Sequence, residues 1–307
     1  TAYNKNYEKT LSAILEIERI QGLSSKLLME KSAIKQEQNN NEEATKYLLK
    51  AYDIDDTNIE VIQRLVSIYL ENENFSDAEF YNEILLKEFS DDPSGFINAS
   101  IISLNNSSPQ KAIDYLKPNI EKFDDNYSAH YLLGTSYYQI DDLVNSENHF
   151  IKALSIFPGS RNSKHTLAMI YDQNGSWVKS DSLYLELITT DTTDAQAYNN
   201  FSYSLVERND NLELALEMSI IANRVHPKSA PYLDTLGWIY YKLEQYEKAL
   251  EYVQESYSLD NTNPVILEHL ADILKATDQI SKANLIYMQA IDIGGDSLSI
   301  QQKINIE

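Results

Sequence analysis

The sequence predicts an all-α solenoid of about eight stacked helix–turn–helix units, and three observations carry that prediction. A small side chain recurs every 34 residues as Ala44, Ala78, Ala112, Ser146 and Ser180, and after one inserted residue as Ala215, Ala249 and Ala283. A second series of small or slim residues keeps the same count: Ser32, Val66, Ser100, Gly134, Ala168, Ser202, Gly237 and Ala271. Beside it stand large apolar residues, among them Leu65, Leu133, Leu167, Phe201, Leu236 and Leu270, followed one helical turn later by Tyr69, Tyr137, Tyr171, Leu205, Tyr240 and Leu274. A fixed period of this length marks architectures whose units bury their apolar faces only by stacking on one another.

Each element follows from that register. Residues 1–24 hold Leu11, Ile14, Leu15, Ile17 and Ile20, the stripe of an N-terminal helix or of the second helix of a partial repeat. Eight units then fill 25–293, beginning near Ser25, Ile59, Pro93, Tyr127, Arg161, Ala195, Ala230 and Pro264. In each, the two small positions let a pair of helices cross closely, and the large neighbours fill the grooves beside them. The first unit departs from the pattern, with Lys31 and Lys35 at positions that call for apolar residues and a polar stretch at 36–41 that reads as a long turn. Pro93, Pro158, Pro227 and Pro264 fall at or near unit boundaries, where a missing N–H is tolerated. Asp55-Asp56-Thr57-Asn58 and Asp260-Asn261-Thr262-Asn263 supply caps for the helices that follow. Asn72-Glu73-Asn74, Asn174-Gly175 and Lys242-Leu243-Glu244-Gln245 mark turns inside units. Gly294-Gly295-Asp296 ends the array, leaving 294–307 for a short capping helix.

Composition narrows function. There are 47 acidic residues against 25 basic ones, a formal charge of -22. A field of that sign repels phosphate backbones and anionic headgroups, so no nucleic-acid partner is expected. Cysteine is absent, which excludes disulfides and thiolate chemistry. No stretch reads as a transmembrane segment. The chain opens on Thr1 rather than Met, which fits a processed or trimmed chain and leaves open an export or lipid-attachment segment upstream. His130, His149, His165, His226 and His269 are scattered without metal-ligand spacing, and phosphate-cradling glycine motifs and GxSxG are missing, so no metal, cofactor or catalytic residue is expected. Facing carboxylates leave a carboxylate-based hydrolase as a remote alternative.

The pattern Leu236-Gly237, Tyr240, Ala249 and Ser256, like Leu133-Gly134, Tyr137, Phe150, Ala153 and Pro158, resembles the tetratricopeptide repeat family over roughly 25–293. That resemblance implies a right-handed superhelix whose first helices line a concave groove for peptides or protein segments, and it implies no reaction. The run from Thr235 to Asp260 is similar to units of bacterial envelope lipoproteins and assembly proteins, which points to the periplasm or outer membrane ahead of the cytoplasm.

On this expectation the groove is lined by Tyr131, Thr135 and Tyr138; His165, Met169 and Asp172; Asn199, Tyr203 and Glu207; Asp234, Trp238 and Tyr241; and Glu268, Asp272 and Lys275. An aromatic strip rimmed by carboxylates suits a basic or neutral segment. The basic clamp by which some relatives hold a C-terminal carboxylate is missing. Trp238 has two readings, an exposed anchor for the partner or a ring packed between units. The function expected is therefore a non-catalytic binding scaffold or adaptor; the alternative is a structural or self-assembling spacer subunit of a larger complex, to be told apart by solution mass.

Overall fold

A computed structural model describes residues 2–304, with side chains from residue 7 onward. Every regular element in it is helical. Two compact units divide at Gly159/Ser160. The first holds α1 (Ala2–Gln21), α2 (Ser25–Glu37), α3 (Asn41–Ile54), α4 (Ile59–Glu71), α5 (Phe75–Glu88), α6 (Ser94–Asn105), α7 (Pro109–Leu116), α8 (Tyr127–Gln139) and α9 (Leu143–Ile156), with a 3-10 turn at Lys117–Asn119. The second holds α10 (Arg161–Gln173), α11 (Trp177–Thr190), α12 (Ala195–Glu207), α13 (Leu212–Val225), α14 (Ala230–Lys242), α15 (Tyr246–Leu259), α16 (Pro264–Ala276), α17 (Ile280–Asp292) and α18 (Ser297–Lys303). Pairing runs in chain order: α2 with α3, α4 with α5, and so on to α16 with α17. The third pair begins one residue later than Pro93, because that proline caps α6 from outside.

Size at the crossing explains why these hairpins close. Ala44, Ala78, Ala112, Ser146, Ser180, Ala215, Ala249 and Ala283 are all fully buried. A Cβ on Gly134 would lie 3.0 Å from the Phe150 ring, and one on Gly237 would overlap Val253 and sit 3.1 Å from the Ala249 carbonyl oxygen. At two of the serines in the small positions the hydroxyl bonds across the hairpin: Ser146 Oγ donates to the Gly134 carbonyl at 2.8 Å, and Ser100 Oγ reaches the Ala112 carbonyl at 3.3 Å. At these two positions the buried hydroxyl adds a bond between helices, whereas that of Ser32 has no partner.

Every hairpin also turns in one way. Asn39, Glu73, Ser107, Asp141, Gly175, Asn209, Glu244 and Asp278 each adopt positive φ, between 51° and 73°, one per pair. The next residue donates its N–H to the carbonyl five residues back, from Asn40 to Lys35 through Gln279 to Leu274, at 2.7–2.9 Å. This is the bond pattern that closes a helix over a left-handed residue. The inserted residue falls in the turn between α12 and α13, where a second left-handed residue, Asn211 (φ 42°), caps α13 through Leu214 N. Absorbed there, it leaves both helices in phase.

In the irregular first pair, Lys31 is buried, with Nζ 2.5 Å from Glu18 of α1 and 5.8 Å from the centre of the Tyr47 ring. The lysine thus ties α1 to the stack, which explains a cation at an otherwise apolar position. The stretch at 36–41 is shorter as a turn than its composition suggests, since α2 runs to Glu37 and α3 starts at Asn41.

Candidate functional site

Of the fifteen candidate groove residues, Tyr131, Thr135 and Tyr138 lie in the first unit and twelve in the second. Tyr131 is half-buried, stacked on Tyr127 (centroids 5.7 Å) and edge-on to Phe150 (5.8 Å). Tyr138, on the last turn of α8, is half-buried as well.

In the second unit the first helices α10, α12, α14 and α16 are successive neighbours, and their side chains line an open-sided cavity of about 360 Å³. Met169 and Asp172 line it from α10, Asn199 and Tyr203 from α12, Asp234 from α14 and Ile266 from α16. The 34-residue register puts these positions on one side of consecutive helices, which is how residues far apart in the chain share one wall.

Its carboxylates differ in how fully they are engaged. Asp172 accepts from Ser180 Oγ (2.5 Å), Ser204 Oγ (2.7 Å) and Tyr184 OH (3.0 Å). Asp234 Oδ2 lies 2.9 Å from His269 Nδ1, while its Oδ1 has no partner; Asn199 Oδ1 also has none. Burial, with the charges of Glu207, Asp234 and Glu268 behind it, pushes the Tyr203 hydroxyl up to about 12, so the tyrosine stays neutral in a negative field. Glu268 and Asp272 are bridged by Lys303 Nζ of α18, 2.7 Å from each. Burial opposes the charge of that ammonium, but the two carboxylates outweigh it and hold its pKa above the ordinary lysine value. Lys275 Nζ donates to the Lys303 carbonyl at 2.6 Å, and the Tyr287 hydroxyl donates to Asp272.

Other candidates sit elsewhere. Trp238 is only 7% exposed and cannot serve as an open anchor. Tyr241 covers one part of its ring (centroids 4.7 Å, interplanar 9°) and His269 of α16 another (4.0 Å, 12°), while Nε1 donates to Glu207 at 2.8 Å. Buried, stacked on two rings and with its one polar group satisfied, the indole is a packing residue. His165 is buried too, with Nε2 3.0 Å from Asp194. Burial works against the Asp194 carboxylate, yet Arg161, the Ala197 N–H and His165 together hold its pKa below the usual value.

Sequence spacing did not reveal one pair in the first unit. His130 of α8 and His149 of α9 face each other across the hairpin, Nδ1 to Nδ1 at 3.0 Å, and the His149 ring stacks on Tyr137 (5.6 Å, 7°). Burial and then the neighbouring His130 push His149 down to about 4. A separation of 19 residues matches no metal-ligand spacing, and only the hairpin brings the rings together. Among the described residues no group of three or more His, Cys, Asp or Glu is placed to hold a metal ion, and no helix is long and apolar enough to cross a membrane.

A family model described as tetratricopeptide repeat matches residues 101–293. The chain belongs to the tetratricopeptide repeat family. The type IV pilus assembly protein PilF of Pseudomonas aeruginosa is 23% identical over 176 residues, covering 57% of this chain and 69% of PilF. Among solved structures, the chain is similar to one in the APC/C hetero-tetramer Cut9–Hcn1, with TM-score 0.67, 15% identity and 96% of this chain covered. It spans 58% of that chain's length. It is also similar to YrrB, described as a tetratricopeptide repeat protein with an unusual peptide-binding site, with TM-score 0.50, 18% identity, and 61% of this chain and 95% of YrrB covered. These likenesses establish the fold. The tetratricopeptide fold points to a protein–protein interaction scaffold.

Proposed function

We propose that this tetratricopeptide repeat protein is a non-catalytic scaffold that holds a basic or neutral segment of a partner protein on the first-helix side of its second unit. The observation that carries the reading is the open-sided cavity lined by α10, α12, α14 and α16, with apolar walls at Met169, Tyr203 and Ile266 and carboxylates at Asp172 and Asp234. Apolar walls with a few convergent polar groups suit a ligand that must be both bound and oriented. Acidic lining together with the net charge of -22 favours a basic segment and steers it inward. PilF, a type IV pilus assembly protein, supports placing the partner in a multiprotein assembly.

A photo-crosslinking amino acid at Tyr203 tests the reading, with Val178, 86% exposed near the start of the second helix α11, as control. A defined protein product from position 203 and none from 178 is expected in the source cells. Products from 178 alone would remove the groove assignment.

A further inference from the structure

The carboxylates of this face are nearly all engaged from within the chain: Asp172 by three hydroxyls, Glu207 by the Trp238 indole, Glu268 and Asp272 by Lys303. The exception lies in the cavity wall. Asp234 and Asn199 are 5% and 7% exposed, and each keeps one oxygen without a hydrogen-bond partner, Oδ1 in both. A buried acceptor left unmade is unfavourable, and more so when charged. Two of them on adjacent helices, lining one cavity, mark a place for an incoming donor.

We propose that the cavity receives a single Lys or Arg side chain from an extended peptide. Its cationic head lies between Asn199 and Asp234, and its methylene stem runs along Met169, Tyr203 and Ile266. The inference rests on the scaffold reading above and gives its partner a chemistry. A cation is favoured over a neutral donor because Glu207, Asp234 and Glu268 all bear on the Tyr203 hydroxyl, so the field at this wall is negative. The chain supplies its own precedent one helix further on, where Lys303 spans Glu268 and Asp272 at 2.7 Å each. The two unpartnered oxygens are themselves buried, on residues that line the cavity. They reach an entering donor by a turn of the last side-chain torsion, which is soft in Asp and Asn. About 360 Å³ accommodates one long side chain, and the paired acceptors suit an ammonium or the forked guanidinium.

Methyl NMR offers a local readout, because Met169 alone of the four methionines lines the cavity. The probes are blocked tripeptides, acetyl-Ala-Xaa-Ala-amide, with arginine, lysine or the neutral near-isostere citrulline at the centre, and free spermidine. The Met169 methyl resonance should shift saturably with the arginine and lysine peptides and at least tenfold more weakly with citrulline. Asp234→Asn should weaken the cationic peptides at least tenfold, leaving the citrulline peptide and the unfolding midpoint unchanged. If Asp234→Asn lowers the midpoint, Asn199→Ser carries the comparison, with about a threefold loss expected. Equal binding of the citrulline and arginine peptides, an unmoved Met169 resonance, or no effect of either variant would overturn the proposal. So would a spermidine response matching that of the arginine peptide, which would assign the cavity to a small polyamine. Crosslinking from position 203 that persists while Met169 is unmoved removes this inference alone; loss of both removes the scaffold reading too.

Discussion

Single side chains show how closely packing and recognition residues resemble one another in this fold. Trp238, Tyr203 and Asp234 occupy first-helix positions of the same kind, but the indole is buried and stacked on two neighbouring rings, the phenol is half-open and the carboxylate is buried with one oxygen free. Trp238→Ala should therefore lower unfolding free energy by about 3 kcal/mol, as expected for an emptied aromatic site, and urea denaturation checks it. An unchanged midpoint would mean that the ring is not packed as described. The facing histidines add a pH dependence with a definite sign. Both are held below the ordinary value of 6.5 in the folded chain, chiefly by burial, so the unfolded chain binds their protons more readily. Stability from this pair is complete above 6.5 and falls as pH drops toward about 4. Across the window from pH 6.5 to 5 ordinary carboxylates stay ionised, and the His149 variant separates this pair from the other three histidines. Unfolding midpoints should decline across that window, and His149→Gln should flatten the decline.

The hairpin is the element on which the fold is built, and its turn is under local strain. Seven of the eight left-handed turn residues noted above are not glycine, and a left-handed backbone disfavours a side chain by about 1–2 kcal/mol. Glu244→Gly should therefore stabilise the protein by up to about 1 kcal/mol, and Gly175→Ala should destabilise it by a similar amount, both read from chemical denaturation. Helices, small crossing residues and turn positions were legible in the sequence because each repeats with the period: Gly134 and Gly237, which make close contacts, belong to a series of small or slim residues that recurs at 34-residue steps with one inserted residue. What repeated only approximately was harder to read. Trp238 and Tyr203 share a register position, and the register gives no sign that His269 closes over one of them. The unpaired oxygens of Asn199 and Asp234, and the Lys303 bridge, depend on neighbours in adjacent helices or beyond the array, so no local pattern announces them.

At the scale of the whole chain, charge sets the conditions under which everything else operates. An excess of 22 negative charges repels itself, and salt screens that repulsion over roughly 10 Å at 0.1 M. Melting temperature should rise between about 20 and 500 mM sodium chloride; a fall would mean that exposed ion pairs such as Lys46–Glu42 outweigh the repulsion. Binding of a cationic segment should weaken over the same range. The extra residue between α12 and α13 has a practical outcome of its own. Since the chain already accommodates an added residue at Asn211 without rotating either flanking helix, this corner is a tolerant graft point. A fluorophore or short tag placed there would report on the second unit while leaving its helix faces aligned.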